Sequence, residues 1–265
     1  MTDPSPPELQ PQERPSAPPP QAARPVPWSW LEAIGVFGLA LALLVLVGRF
    51  LALALNVALP DDLVEVAFLP LSLTVLAATV VLWVRVRHPG ATRLLGGPAR
   101  ARRRHLWLGV AAGLVAYVVI NLTFTWLLSL LAGLRGEELP TVQEEFRQAI
   151  SNPRTAPLFA VGAVLFAPVA EELFFRGMLF QALRDRFGLW PGIGLSAVAF
   201  SLAHTQWTSG LDANLLVFVI IFPLGMVLAW IFHRTGTLAS SLVTHAVFNA
   251  SGVALMLAGV GVVYP

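Results

Sequence analysis

The chain has no cysteine. That removes disulfides, thiolate metal sites and cysteine nucleophiles together, and leaves the redox compartment undefined. Lysine is also missing, so every basic side chain is arginine, and the net charge is only +2. A nucleic-acid-binding face needs a larger excess of positive charge, so the clustered arginines point to membrane topology instead. Charge of either sign is scarce. Only 12% of the 265 residues are charged and 56% are hydrophobic, against about 25% and 45–50% in ordinary soluble domains. The composition is that of an all-α polytopic membrane protein.

The first 27 residues hold 10 of the 21 prolines and lack the apolar core of a secretory signal, so residues 1–27 read as a disordered Pro-rich tail. Trp28 and Trp30 mark where ordered chain begins, at headgroup level. Apolar runs long enough to cross a bilayer give seven expected spans, at about 31–58, 63–84, 106–132, 157–183, 191–207, 213–232 and 238–262. The first exceeds one perpendicular crossing and contains Arg49, which implies a tilt or an interfacial end after about Val47. With the tail in the cytoplasm, twelve arginines fall on the inner side, seven of them from Arg85 to Arg104. Only Arg135, Arg147 and Arg154 fall outside. This bias predicts a cytoplasmic N-terminus and an external C-terminus, in what is expected to be a bacterial plasma membrane.

Residues 28–150 form the expected N-terminal helical part and residues 151–265 the C-terminal core. The connection from Gly133 to Ala156 contains a capping box at Thr141–Glu144, with Val142, Phe146 and Ile150 on one face. A short amphipathic helix on the outer surface is expected there. Gly188, Pro191-Gly192, Pro223 and Gly236 are the turn or kink signals of the last four spans. No internal repeat is evident.

Glu171, Glu172 and Arg176 interrupt an otherwise apolar run from Pro157 to Leu183. A charge at bilayer depth costs from about 2.5 to more than 10 kcal/mol, so three in six residues mark a site. Two histidines join them, His204 in the fifth span and His245 in the seventh, with Asn249 one turn beyond His245. Counted from the cytoplasmic boundary at about 1.5 Å per residue, Glu171, His204 and His245 reach depths of roughly 20, 20 and 16 Å. Polar groups in apolar helices turn inward and find one another. Glu172 and Arg176 can pair at i, i+4, as can His245 and Asn249. A buried Glu beside a neutral His can polarise a water, and a second His with a carboxamide can donate to a developing oxyanion, which together point to amide hydrolysis. The bland alternative is a polar network that clamps four helices, with Arg176 merely keeping Glu172 charged. Phe200, four residues before His204, is by itself only packing, and His88, His105 and His233 read as interfacial.

The ordered set Glu171-Glu172-Leu-Phe-Phe-Arg176-Gly177, Phe200-Ser-Leu-Ala-His204 and His245-Ala-Val-Phe-Asn249 resembles the EExxxR, FxxxH and HxxxN motifs of the CPBP intramembrane proteases. That family comprises CAAX prenyl endopeptidases and bacteriocin-processing or immunity (Abi) proteins. The resemblance covers about residues 155–252, with Gly188 and Gly225 as supporting positions. It implies an all-helical core around an intramembrane polar cavity. In it Glu171 and His204 would activate water, His245 and Asn249 would stabilise the oxyanion, and Glu172, Arg176 and Phe200 would hold them in place. No HExxH occurs and asparagine is a poor zinc ligand, so catalysis without a cofactor is favoured. Zinc held by Glu171, His204 and His245 is the alternative.

The leading expectation is therefore an intramembrane endopeptidase acting on a membrane-associated, CAAX-like or short peptide substrate, with the bilayer as its other partner and no nucleic acid. A non-catalytic binding or immunity protein would use the same scaffold but needs none of Glu171, His204 and His245. A proton-coupled transporter would show paired broken helices in two related halves, a pattern the sequence lacks.

Overall fold

In the computed structural model, which describes residues 25–55, 61–135, 149–205 and 210–258, the chain is helical throughout, with no strand among the described residues. The main elements there are α1 (Trp30–Leu55), α2 (Asp61–Arg87), α3 (Arg103–Arg135), α4 (Ala156–Phe187), α5 (Leu189–Leu202), α6 (Leu211–Thr235) and α7 (Leu238–Leu257), with a 3₁₀ turn at Thr92–Gly96 between α2 and α3. Six of the seven are long and apolar enough to cross a membrane. The protein is thus a polytopic membrane protein.

The exception is α5, which corrects the expected fifth span of 191–207. It has 14 residues, about 21 Å of helix against a hydrocarbon core of about 30 Å. His204 therefore sits in the turn just past the end of α5, where a helix stops at depth. The expected long first span is one unbroken helix to Leu55, with Arg49 exposed near its end. Most of the expected amphipathic helix at 141–150 lies outside the described residues, as do residues 1–24 of the expected tail and everything after 258.

The helix ends that carry the arginines gather on one face of the molecule. The Val26 N–H donates to Asp185 Oδ2 (2.8 Å), the Trp28 indole to the Met178 carbonyl (3.0 Å), and the Trp28 ring lies against His88. The Ala99 N–H donates to Gly236 O (2.8 Å), and Gln181 Nε2 to Leu94 O (2.9 Å). The start of α1, the end of α2, the start of α3, the α4–α5 corner and the α6–α7 corner therefore share a face, and successive helices alternate in direction. Gly188 turns the α4–α5 corner with φ +89°, a conformation glycine enters without a Cβ penalty.

Close helix contacts depend on small residues, as expected where lipid supplies no hydrophobic drive between helices. A Cβ on Gly109 or Gly113 of α3 would fall 2.7 and 2.6 Å from the Ser240 and Thr244 carbonyl oxygens of α7. One on Gly177 would fall 2.8 Å from Leu95 O, and one on Gly225 3.0 Å from the Ala197 Cα. The α3–α7 pair runs parallel, in step residue for residue. The deepest side chains, among them Phe180, Phe200, Leu228 and the charged Glu172 and Arg176, cluster around α4 and α6.

Candidate active site

Helix α4 is not a regular α-helix. It winds as a π-helix over Gly162–Phe166 and again over Leu173–Phe180, and such widened turns recur at functional sites. Between them, Ala167–Glu172 is α-helical and delivers the two glutamates. Adjacent residues on a helix point in different directions, and here the two carboxylates meet different fates.

Glu172 is buried to zero exposure, as is Arg176, and their Oε1 and Nη1 atoms lie 3.0 Å apart. The guanidinium also donates from Nη2 to Gly225 O (3.1 Å) on α6 and stacks 4.3 Å over the Phe200 ring of α5. These contacts offset part of the desolvation cost of the pair, although Glu172 Oε2 and Arg176 Nε have no hydrogen-bond partner among the described residues. His245 of α7 completes the cluster, its Nδ1 3.1 Å from Glu172 Oε1. Because a carboxylate can only accept, that nitrogen is the donor, and Nε2 faces the other glutamate.

Glu171 keeps 14% of its side chain exposed, and its Oε2 has no hydrogen-bond partner among the described residues. His204 Nε2 lies 3.6 Å from that oxygen and His245 Nε2 3.8 Å. His204 Nδ1 donates to Phe200 O (2.8 Å), which leaves Nε2 as the acceptor of a neutral ring. Asn249 Nδ2 donates to Ala163 O (2.7 Å), in the first π-helical turn of α4. Phe200 is fully buried and touches Arg176, His204 and His245, so it is the common neighbour of three polar residues. The structure thus brings together Glu171, Glu172, Arg176, Phe200, His204 and His245, with Asn249 one turn away along α7.

Glu171, Phe200, His204, His245 and Asn249 open onto a cavity of about 490 Å³ lined by residues of all seven helices, while Glu172 and Arg176 lie behind its wall. Its walls are mostly apolar, with Leu41 of α1, Leu69 and Leu76 of α2 and Ile221 of α6 among them, and Glu171, His204, His245 and Asn249 supply its polar region. Tyr117 and Asn121 of α3 also line it. Sequence reasoning missed both, since a lone tyrosine in an apolar span carries no motif. Their i, i+4 continuation of Gly109 and Gly113 was the signal available. For a metal, the candidate donors are Glu171 Oε2 and the Nε2 atoms of His204 and His245, at 3.6 and 3.8 Å from that oxygen.

Residues 153–251 match the family model described as type II CAAX prenyl endopeptidase Rce1-like. Through this segment the chain is similar to the Rce1-like family. The matched segment contains all the clustered residues and spans α4 to most of α7, while α1–α3 lie outside it. An Escherichia coli protein described as an uncharacterized 24.3 kDa protein is 26% identical over 117 residues, 42% of this chain and 52% of the relative. The chain thus spans about half the length of that curated relative. No solved structure matches the chain.

Proposed function

We propose that the protein is an intramembrane endopeptidase of the CAAX type in which Glu171 is the general base. The observation that carries this reading is the contrast between the two glutamates. Glu172 is fully enclosed beside Arg176 and His245 and lies outside the cavity lining, whereas Glu171 keeps 14% exposure and lines the cavity, where it can accept a proton. The similarity of residues 153–251 to the Rce1-like family supplies the reaction class.

In the proposed step a water donates to Glu171 and to His204 Nε2. Its oxygen attacks the peptide carbonyl carbon as its proton passes to Glu171, leaving a tetrahedral oxyanion. Asn249 has a second amide hydrogen to offer it, and His245 Nε2 donates when that ring is protonated. Collapse breaks the C–N bond, and the proton held by Glu171 goes to the departing amine, so water is consumed and the base regenerated. Glu172, Arg176 and Phe200 hold the two histidines in place. The apolar walls suit a peptide presented from the membrane, such as the end of a lipid-anchored protein. No cofactor is needed for this sequence of steps.

The test is proteoliposomes holding wild type or Glu171→Gln, given a quenched peptide ending in Cys-aliphatic-aliphatic-X, with and without a prenyl group. Wild type is expected to cleave at least one and Glu171→Gln neither. Equal rates would replace the protease by the binding or immunity reading. Activity is expected to survive chelation, and stoichiometric zinc lost and regained with activity would overturn the metal-free route.

The arginine face is proposed to be cytoplasmic, which puts the N-terminus inside and the C-terminus outside. In this cysteine-free chain an Ala101→Cys variant is expected to resist a membrane-impermeant maleimide in intact cells and to react after lysis. Labelling of intact cells would invert the topology.

A further inference from the structure

Asn249 is the one proposed oxyanion donor whose amide is fixed by a backbone group. The way that group is made available is written in the sequence of α4. Ala163 O would ordinarily accept from the N–H four residues on, that of Ala167. In the π-helical turn Gly162–Phe166 the Ala167 N–H goes to Gly162 O instead. The π pattern would then pair Ala163 O with the N–H five residues on, but residue 168 is proline and has none. Ala163 O is left without a partner in its own helix, in a low-dielectric setting where an unmade backbone bond is costly and a neighbouring helix is the remaining source of a donor. Asn249 Nδ2 provides it at 2.7 Å.

We infer that Pro168 is a positioning residue for the reaction proposed above. By denying Ala163 O its helical donor, it makes that carbonyl an anchor for the Asn249 carboxamide. A planar amide with one hydrogen bonded has its other hydrogen and its oxygen fixed in direction, and Asn249 lines the cavity, so the second hydrogen is aimed before substrate arrives. The widened turn is packed in place by α2, where Leu69 and Pro70 lie against Gly162. The inference rests on the endopeptidase reading for its catalytic part only. The hydrogen-bond logic stands or falls by itself.

Pro168→Ala restores the missing N–H without adding bulk. The cryo-EM structure of this variant is expected to show Ala163 O bonded within α4 and the Asn249 amide released from it. The melting temperature in detergent should be unchanged or higher, since a helix former replaces a helix breaker. On whichever quenched peptide the wild type cleaves, kcat should fall about 10²–10³-fold with KM unchanged, as for loss of one oxyanion donor. The Pro168→Ala, Asn249→Ala double variant should be within about threefold of Asn249→Ala alone, because both act through one amide. Persistence of the Asn249–Ala163 bond in Pro168→Ala would overturn the inference, as would wild-type kcat, additive losses or an unfolded variant. If the wild type cleaves neither peptide, the protease reading fails, and the structural comparison still decides whether Pro168 sets the anchor.

Discussion

The helices outside the family match and those inside it are alike in composition but not in use. In its most apolar stretch α1 is 17% buried, α2 22% and α3 18%, whereas α7 is 28%, α4 44% and α6 56% buried. Both groups are apolar enough to cross a bilayer, so hydropathy does not say which helices lie at the centre. The outer ones present Phe50, Leu122 and Trp126 to their surroundings, as lipid-facing surfaces do. The inner ones surround Glu172 and Arg176. Hydrophobicity puts a helix in the membrane, and polar groups that lipid cannot satisfy put it in the middle.

The hardest test of that division is at the inner group. Glu171→Gln keeps size and fold but removes the base, and is expected to lower kcat by about 10²–10⁴-fold. His204→Ala should cost a similar factor, and the double variant little more, because both act on one water. Additive losses measured on a quenched peptide would separate the two residues.

Next in size is the buried pair. Arg176→Gln strands Glu172 in the core and is expected to destabilise the protein by about 3–5 kcal/mol. Adding Glu172→Gln should recover much of that in detergent melting curves. A double variant no more stable than Arg176→Gln would mean that the charges are not mutual partners.

Smaller effects belong to the outer helices. Gly113→Val would place side-chain atoms against Thr244 O and Val247, where a Cβ alone already comes within 2.6 and 2.8 Å. A loss of about 1–3 kcal/mol is expected. Leu122→Ala, 66% exposed on the same helix, should change stability by no more than about 0.5 kcal/mol. If the two variants melt alike, α3 is not held by its glycine stripe, and the contrast between its two faces disappears.

Sequence alone determined a great deal here, for identifiable reasons. A lipid environment forbids unpaired backbone and isolated charge, so long apolar runs had to be helices, and Glu171, Glu172, Arg176, His204, His245 and Asn249 stood out against them. The i, i+4 spacing was enough to pair Glu172 with Arg176. Tertiary structure decided the rest. It stopped α5 at Leu202, ahead of the polar run His204-Thr205-Gln206, where the length needed for a crossing had carried the expected span on to residue 207. It put Glu171 on the cavity and Glu172 behind its wall beside His245, a contact across helices that the Glu172–Arg176 spacing did not contain. It made Phe200 the neighbour of three polar groups, and it used the missing N–H of Pro168 to leave Ala163 O for Asn249, 86 residues away in the chain. Each of these depends on which groups meet across helices, and lipid, being equally apolar on every side, does not encode that in the pattern of any single helix.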